Sequence, residues 1–375
     1  MKILCVVAEY NPLHEGHVYH LRQSAAWADY CIVIMSGDFC QRGAPTVLDK
    51  YTRARHAVSA GADLVVELPT LAAVHCAEQF AKGAMRLVNA IPAPIVLSFG
   101  SECGDVDTLS HTACLMQSAE VEARTHTLVA EGTAYPMARQ TALAEVAATK
   151  GQRVADVSQP NNILGMEYLR YVREDAEVHT IRRTGDYHSL SAAPSSRYVR
   201  QCIADGTDYR AWVPEYVAHD LAHCTPAQSV LYLAAWRAHE KDYFADLLDA
   251  SEGIHNRVWQ CARDYPTYEA ALEAACTKRY TRARIARLFT AGLIDLHQQD
   301  LSAMYASPIY YNVLAVRAEC THLLSLLGRA GEVVTTQKAL REGTGAQQID
   351  ARAHETYRLM HACDVPQGMI VLPKK

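Results

Sequence analysis

Residues Ile3–Leu21 read ILCVVAEYNPLHEGHVYHL. Ile3–Ala8 is an unbroken apolar run of strand length, and His17 opens a helical pattern, so the stretch predicts a buried strand, a turn and a first helix. His14 and His17 flank Gly16 in that turn. The amide groups and positive dipole end of the helix point at whatever fills the turn, which suits an anion. Gly16 has no side chain, so phosphate oxygens approach the backbone closely. Imidazoles at His14 and His17 then donate hydrogen bonds to oxygens whose charge grows as the α-phosphorus is attacked. The turn reads as a device for handling the phosphates of ATP, with His14 and His17 as catalytic donors and no covalent nucleophile.

The pattern alternates outward from there. After a helix over 17–28 come a strand at Tyr30–Met35, a polar loop at Ser36–Pro45 and a helix over 49–60. Asp63–Leu68 reads as a strand, Leu71–Asn89 as one helix and Pro94–Phe99 as a fourth strand ending in Gly100. Apolar strands separated by helices imply a Rossmann-like α/β fold, a doubly wound parallel sheet with its ligand at the carboxyl ends of the strands. Residues 105–150 look helical, Pro160 opens a helix through Glu174, and Val178–Arg182 is a short fifth strand before a Gly, Asp, Ser and Pro-rich loop. Past Ala204 the pattern turns to long helices. The expectation is a catalytic domain over 1–204 and a mostly α-helical domain over 205–375, with the boundary in Asp205–Pro214.

A chain of 375 residues that is 50% apolar buries a large core. Its net charge of −5 gives no global attraction to nucleic acid, so such a partner needs a local basic patch and DNA is not expected. Twelve cysteines without a CxxC pair read as small hydrophobes in a reducing compartment. Neither a signal peptide nor a run of membrane length is visible, and a cytoplasmic protein without a membrane partner is expected.

Two further clusters bear on a nucleotide. Asn161 and Asn162 precede Ile-Leu-Gly at a sheet edge, where they serve as helix caps or read adenine and ribose groups. Ser195–Arg200 is a helix start loaded with hydroxyls and cations. Its serines and the Arg200 guanidinium suit β and γ phosphates, and Arg182 and Arg183 are candidates for the same pocket.

EYNPLHEGH, MSGDFCQRG, DLVVELP, LSFGSE and PNNILG, in this order, resemble the bacterial tRNA(Met) cytidine acetate ligase family of the HIGH-type nucleotidyltransferases. The resemblance continues through Glu252-Gly253-Ile254 and Thr277–Thr281. It implies activation of acetate with ATP to acetyl-adenylate, then transfer of the acetyl group to the wobble cytidine of elongator methionine tRNA as N4-acetylcytidine. It carries ATP binding onto Val7, Ala8, Glu9, Tyr10, Asn11, Pro12, Gly16 and His20. Gly100, an asparagine of the Asn161-Asn162 pair and an arginine of Arg182-Arg183 join them. Glu15 stands where the family usually has asparagine, which places a negative charge near phosphates and asks for Mg²⁺ or a side chain turned away. Arg197 interrupts the usual Ser/Thr pattern after Ser195.

Acetate is ionised at neutral pH and attacks phosphorus without a general base, so positioning and charge neutralisation suffice. Asp38, in the loop after the second strand, is read as orienting the amine or a metal, or else as stabilising its turn. The RNA-binding candidates are Lys278, Arg279, Tyr280, Arg282, Arg284 and Arg287, from a run with five cations in ten residues and no acid. On a helix, Arg279, Tyr280, Arg284 and Arg287 share one face, pairing phosphate-binding charge with a stacking ring. Arg42, Lys50, Arg53 and Arg55 add cations near the active edge. Competing readings are an adenylyltransferase for a small phosphate-bearing cofactor precursor and a non-catalytic RNA-binding protein on the same fold. The sequence leaves open whether the chain dimerises.

Overall fold

The computed structural model describes residues 1–133, 135–183 and 195–373. The loop expected after the fifth strand falls at 184–194, outside them. Strands β1 (Ile3–Ala8), β2 (Tyr30–Ser36), β5 (Leu64–Leu68), β6 (Ile95–Ser101) and β7 (Glu177–Arg182) form the parallel part of one sheet. Between β2 and β5 lies a short hairpin, β3 (Phe39–Cys40) with β4 (Ala44–Pro45), where only a loop was expected.

The apolar runs reflect burial on both faces. Ile3, Cys5, Ile32 and Ile34 pack into one core, against Phe80 of the helix Ala77–Ala90 and Met166 of the helix Pro160–Tyr171. Leu4, Val6, Cys31 and Val33 pack into the other, against Val18 and Ala54 of the helices Glu15–Ser24 and Lys50–Ala60. The strand order β5-β2-β1-β6-β7 places the winding reversal at β1. The crevice beyond the end of β1 is therefore the ligand site of such a sheet.

The expected division at 204/205 does not divide the sheet. After a helical stretch the chain returns as β8 (Tyr310–Arg317), antiparallel to β5, and β9 (Glu332–Val334) and β10 (Ile370–Leu372) pair with β8 in parallel. The physical reason is the outer edge of β5, which would otherwise expose unpaired backbone groups. Helices from Glu215–Leu221 to Gln298–Ala306 make up the helical C-terminal part, built on stacked Trp236 and Phe244 with Phe289 edge-on.

Other expected helices are interrupted. The one over 71–89 is two, Thr70–Ala73 and Ala77–Ala90, and 105–150 is three, starting at Val106, Ala119 and Tyr135. The helix from Pro160 ends at Tyr171 rather than Glu174. All twelve cysteines are free; six are buried, while Cys114 is exposed. Among the described residues no helix is long and apolar enough to cross a membrane.

Candidate active site

The helix Glu15–Ser24 begins at the end of β1 with His14 as its N-cap. The Gly16 N–H donates to His14 Nδ1 at 3.0 Å, and the His14 N–H donates to His17 Nδ1 at 3.3 Å. The histidines thus stand in for the Ser and Glu of a capping box. Each Nδ1 accepts, so a neutral ring carries its hydrogen on Nε2. Burial, then the nearby Arg183 charge, lowers His14 to about 3. His17 is held well below its usual value by burial and by His14 and Arg183, and His20 is lowered to about 4 by burial and Arg183. At neutral pH the turn offers uncharged imidazole donors beside helix amides.

Arg183 comes from the end of β7, its N–H donating to the Ser101 carbonyl at 2.9 Å. It passes over Gly100, where a Cβ would lie in ordinary contact at 3.4 Å from Arg183 Cγ. Arg182 lies over Gly104, at φ +71°, where a Cβ would come within 2.6 Å of the Arg182 Cβ, so no side chain fits there. The helix Ser196–Asp205 forms the next wall, with Ser195 Oγ accepting from the Tyr198 N–H at 3.1 Å. Arg200 is anchored on the Asn11 carbonyl and Ser196 Oγ donates to the Pro12 carbonyl at 2.9 Å. Together these elements enclose a cleft of about 480 Å³. Arg42, Arg182, Arg183, Arg197 and Arg200 line it, and among the described lining residues the carboxylates are Glu9 and Glu15. Neutral donors, a helix N-terminus and an arginine excess are the chemistry that suits a polyphosphate.

The family model described as HIGH Nucleotidyl Transferase matches residues 1–368. Proteins named tRNA(Met) cytidine acetate ligase are 34% identical in Acetivibrio thermocellus, over 89% of this chain and 87% of that one, and 30% identical in Bacillus subtilis, over 96% and 92%. The crystal structure of Thermotoga maritima TmcAL bound with alpha-thio ATP superposes with a TM-score of 0.85 at 28% identity, covering all of both chains. This chain belongs to the tRNA(Met) cytidine acetate ligase family of HIGH nucleotidyl transferases.

Most of the family's expected nucleotide positions meet at this cleft. Val7, Ala8, Glu9, Tyr10 and Asn11 line it from the end of β1, and His14, Gly16, His17 and His20 from the helix. Gly100, Asn161, Arg182, Arg183, Ser195 and Arg200 complete the wall. Asn161 donates to Glu102 Oε1 at 2.6 Å and remains at the cleft surface.

Three assignments are corrected. Asn162 is buried with both ends of its amide occupied, accepting from the Cys103 N–H at 2.9 Å and donating to the Asp156 carbonyl at 3.0 Å. Pro12 is buried behind the cleft and takes part through its carbonyl, held by Ser196. Asp38 faces away from the cleft: it is 1% exposed, accepts from the Lys50 N–H at 2.8 Å and from His354 Nδ1 at 2.7 Å, and so ties the loop to the helix Gly345–His361. Burial opposes its ionisation, but His354, Lys50 and Arg53 overcome that and hold its carboxyl at about 2.

Lys50 and Arg53 are likewise structural. Lys50 is fully buried on Glu67 at 2.8 Å, and Arg53 donates to the carbonyls of Leu48, Glu9 and Ser36, clamping the loops after β1 and β2. Arg55 pairs with Asp220 at 2.5 Å. Sequence reading overlooked the apolar end of the cleft, Phe80, Phe99, Leu164 and Tyr168, and also Gln41. Leu164 and Gln41 were visible within PNNILG and MSGDFCQRG; Phe80 sits in a helix whose pattern signals only core.

The basic run is only partly helical. The helix Arg282–Ile294 begins after the Thr281 N-cap, so Lys278, Arg279 and Tyr280 precede it. Arg279 and Arg284 still flank the Tyr280 ring at 5.6 and 5.4 Å, while Lys278 is exposed. Their charges are partly met: Arg279 pairs with Glu252 at 2.9 Å, Arg282 with Glu273 at 2.7 Å and half-buried Arg287 with Asp249 at 2.6 Å.

Proposed function

We propose that this chain activates acetate with ATP as acetyl-adenylate and transfers the acetyl group to N4 of the wobble cytidine of elongator tRNA(Met). One observation carries the first step: two imidazoles whose Nδ1 atoms accept backbone N–H groups at a helix N-terminus, held neutral by burial first and by the nearby Arg183 charge second, so that each carries its hydrogen on Nε2. Acetate oxygen attacks the α-phosphorus, pyrophosphate leaves, and the growing equatorial charge meets preorganised donors. Arg182, Arg197 and Arg200 line the same cleft and suit the departing phosphates. Family membership and the likeness to a structure holding an ATP analogue support the nucleotide; the relatives' printed names support acetate and tRNA(Met).

Mg²⁺ belongs to the proposal as the companion of the nucleotide. Among the described residues no cluster of three His, Cys, Asp or Glu side chains forms a cation cage. The ion would be held through phosphate oxygens, with exposed Glu15 in the first helical turn as the protein's carboxylate. The basic face at Arg279, Tyr280 and Arg284 is the proposed RNA contact, and the cytoplasm, where ATP and tRNA meet, is the proposed place of action. That face and the helical layer behind it favour tRNA over a small cofactor precursor.

Purified protein incubated with ATP, labelled acetate and bacterial tRNA should yield labelled N4-acetylcytidine that disappears without ATP. Pyrophosphate release without RNA label would point to another adenylyltransferase.

A further inference from the structure

Acetyl transfer leaves a proton to place. As N4 of cytidine bonds to the acetyl carbon, the nitrogen must shed a hydrogen, because its lone pair is delocalised into the ring and the cationic adduct is a poor intermediate. The cleft holds few acceptors. His14 and His17 present Nε2–H donors, their Nδ1 atoms being occupied by backbone N–H groups, and burial with the Arg183 charge disfavours cycling through imidazolium. His20 Nε2 is engaged with Ser98 Oγ at 2.9 Å. Among the described lining residues, the carboxylates are Glu9 and Glu15. Glu15 belongs to the exposed first turn of the phosphate helix.

Glu9 is the other lining carboxylate. It follows β1 directly, and its Oε1 accepts from the Gln41 N–H at 2.7 Å, which fixes the carboxylate through one of its two oxygens. Arg53 pins its backbone carbonyl at 2.6 Å. Tyr168 lies near enough that, after burial, the Glu9 charge raises its pKa. Gln41 belongs to the turn of the β3–β4 hairpin, and that hairpin rests on the basic helix. Gly43, at φ +70°, approaches so closely that a Cβ would lie 2.2 Å from the Arg287 nitrogen, and Thr290 Oγ1 donates to the Gly43 carbonyl at 3.1 Å. The hairpin that carries the Glu9 anchor thus joins the basic helix to the edge of the cleft.

We propose that Glu9 is the general base of the transfer step, accepting the N4 proton of the incoming cytidine. The inference rests on the acetate–tRNA ligase reading. The N4–C bond forms, the N4 proton passes to the Glu9 carboxylate, and collapse of the tetrahedral adduct breaks the acyl C–O bond so that AMP departs with the electron pair. Glu9 takes no part as a base in the first step, since acetate arrives ionised.

The test separates the two half-reactions in wild type and Glu9→Gln, a change that keeps an acceptor for the Gln41 N–H. Acetate-dependent ATP–pyrophosphate exchange reports the first, and single-turnover acetylation of a methionine tRNA transcript reports the second. Because Glu9 also lines the nucleotide cleft, exchange serves as the internal control, and transfer should fall about a hundredfold further than exchange does. Glu9→Asp, which keeps a carboxylate, should recover part of the transfer rate that Glu9→Gln loses. Equal transfer rates would overturn the proposal in favour of the AMP phosphate as acceptor; a parallel loss of exchange and transfer would overturn it in favour of a nucleotide-positioning role. Wild-type protein that makes acetyl-adenylate but no acetylcytidine would instead overturn the ligase reading itself.

Discussion

His14 and His17 stack with ring centroids 3.8 Å apart, and each uses its Nδ1 to accept a backbone N–H from the same helical turn. Their outward nitrogens are therefore fixed in both direction and protonation. His17→Ala removes one such donor and should lower acetate-dependent ATP–pyrophosphate exchange by about a hundredfold or more. Affinity for tRNA should stay within about twofold, because Arg279 and Arg284 lie on a different element. Exchange at the wild-type rate would remove His17 from the reacting phosphate.

The same burial ties stability to pH. Folded His14 and His20 titrate at about 3 and 4, and His17 well below its usual value, whereas unfolded histidine titrates near 6.5. Below about pH 6.5 the unfolded chain binds protons that the folded chain refuses, so stability is lost as pH falls. Three such protons correspond to roughly 4 kcal/mol per pH unit once the unfolded histidines are charged. Urea unfolding followed from neutral pH to about pH 5 checks this, and His20→Gln should reduce the slope by one proton, about 1.4 kcal/mol per unit. An unchanged slope in that variant would mean His20 is charged in the folded protein.

The phosphate turn was legible because its determinants are local: an apolar strand, two histidines and a glycine within one turn, all within 15 residues of the start of β1. Gly100 was legible for a related reason, since it stands at the end of a strand whose apolar pattern is plain, while Arg183 follows a strand marked only by Val178 and Ile181. The return of β8 to the sheet was hidden. YYNVLAVR follows the helix stop Ser307-Pro308, but its partner β5 lies far back in the chain, so pairing was decided by an edge that only the folded sheet presents. Asp38 was misread for a similar reason. In sequence it sits in a loop at the catalytic edge, but its partner His354 lies 316 residues away and draws it into the core.

That placement separates structure from chemistry. Asp38→Asn should lower the melting temperature while kcat of the folded protein stays within about threefold, since the side chain does not line the cleft. A hundredfold loss of kcat with unchanged melting would return Asp38 to the reaction. The depressed Asp38 carboxyl contributes stability that is present above the unfolded value near 3.9 and is lost as pH falls toward 2. Asp38→Asn should therefore flatten the acid end of the stability curve.

Lys50 and Glu67 form the ionic counterpart beneath the same loop, both essentially unexposed, with Lys50 on both carboxylate oxygens and Asn312 of β8 donating to Oε2. Lys50→Met leaves Glu67 buried without its cation, and that should cost about 3–5 kcal/mol in urea unfolding. Lys50→Met with Glu67→Gln should recover a large part of that loss, because the uncompensated charge is then gone. A double variant as unstable as the single one would show that the pair acts through its shape rather than its charge.

The RNA face makes the converse separation from His17. Arg279 and Arg284 sit at 5.6 and 5.4 Å from the Tyr280 ring, so they present cations around one stacking surface. Arg279→Ala with Arg284→Ala should weaken tRNA binding and lower the slope of log affinity against log salt by about 2 at most, leaving ATP–pyrophosphate exchange within about twofold. Tyr280→Ala should weaken binding by about 1–3 kcal/mol with little change in that slope, since stacking releases no counterions. Arg287→Ala should act differently from all three: half-buried against Asp249 and packed beneath Gly43, it should lower stability first. If tRNA affinity and its salt slope are unchanged in the Arg279 and Arg284 double variant, the basic run is a solvated helix face and the RNA enters the cleft from another side.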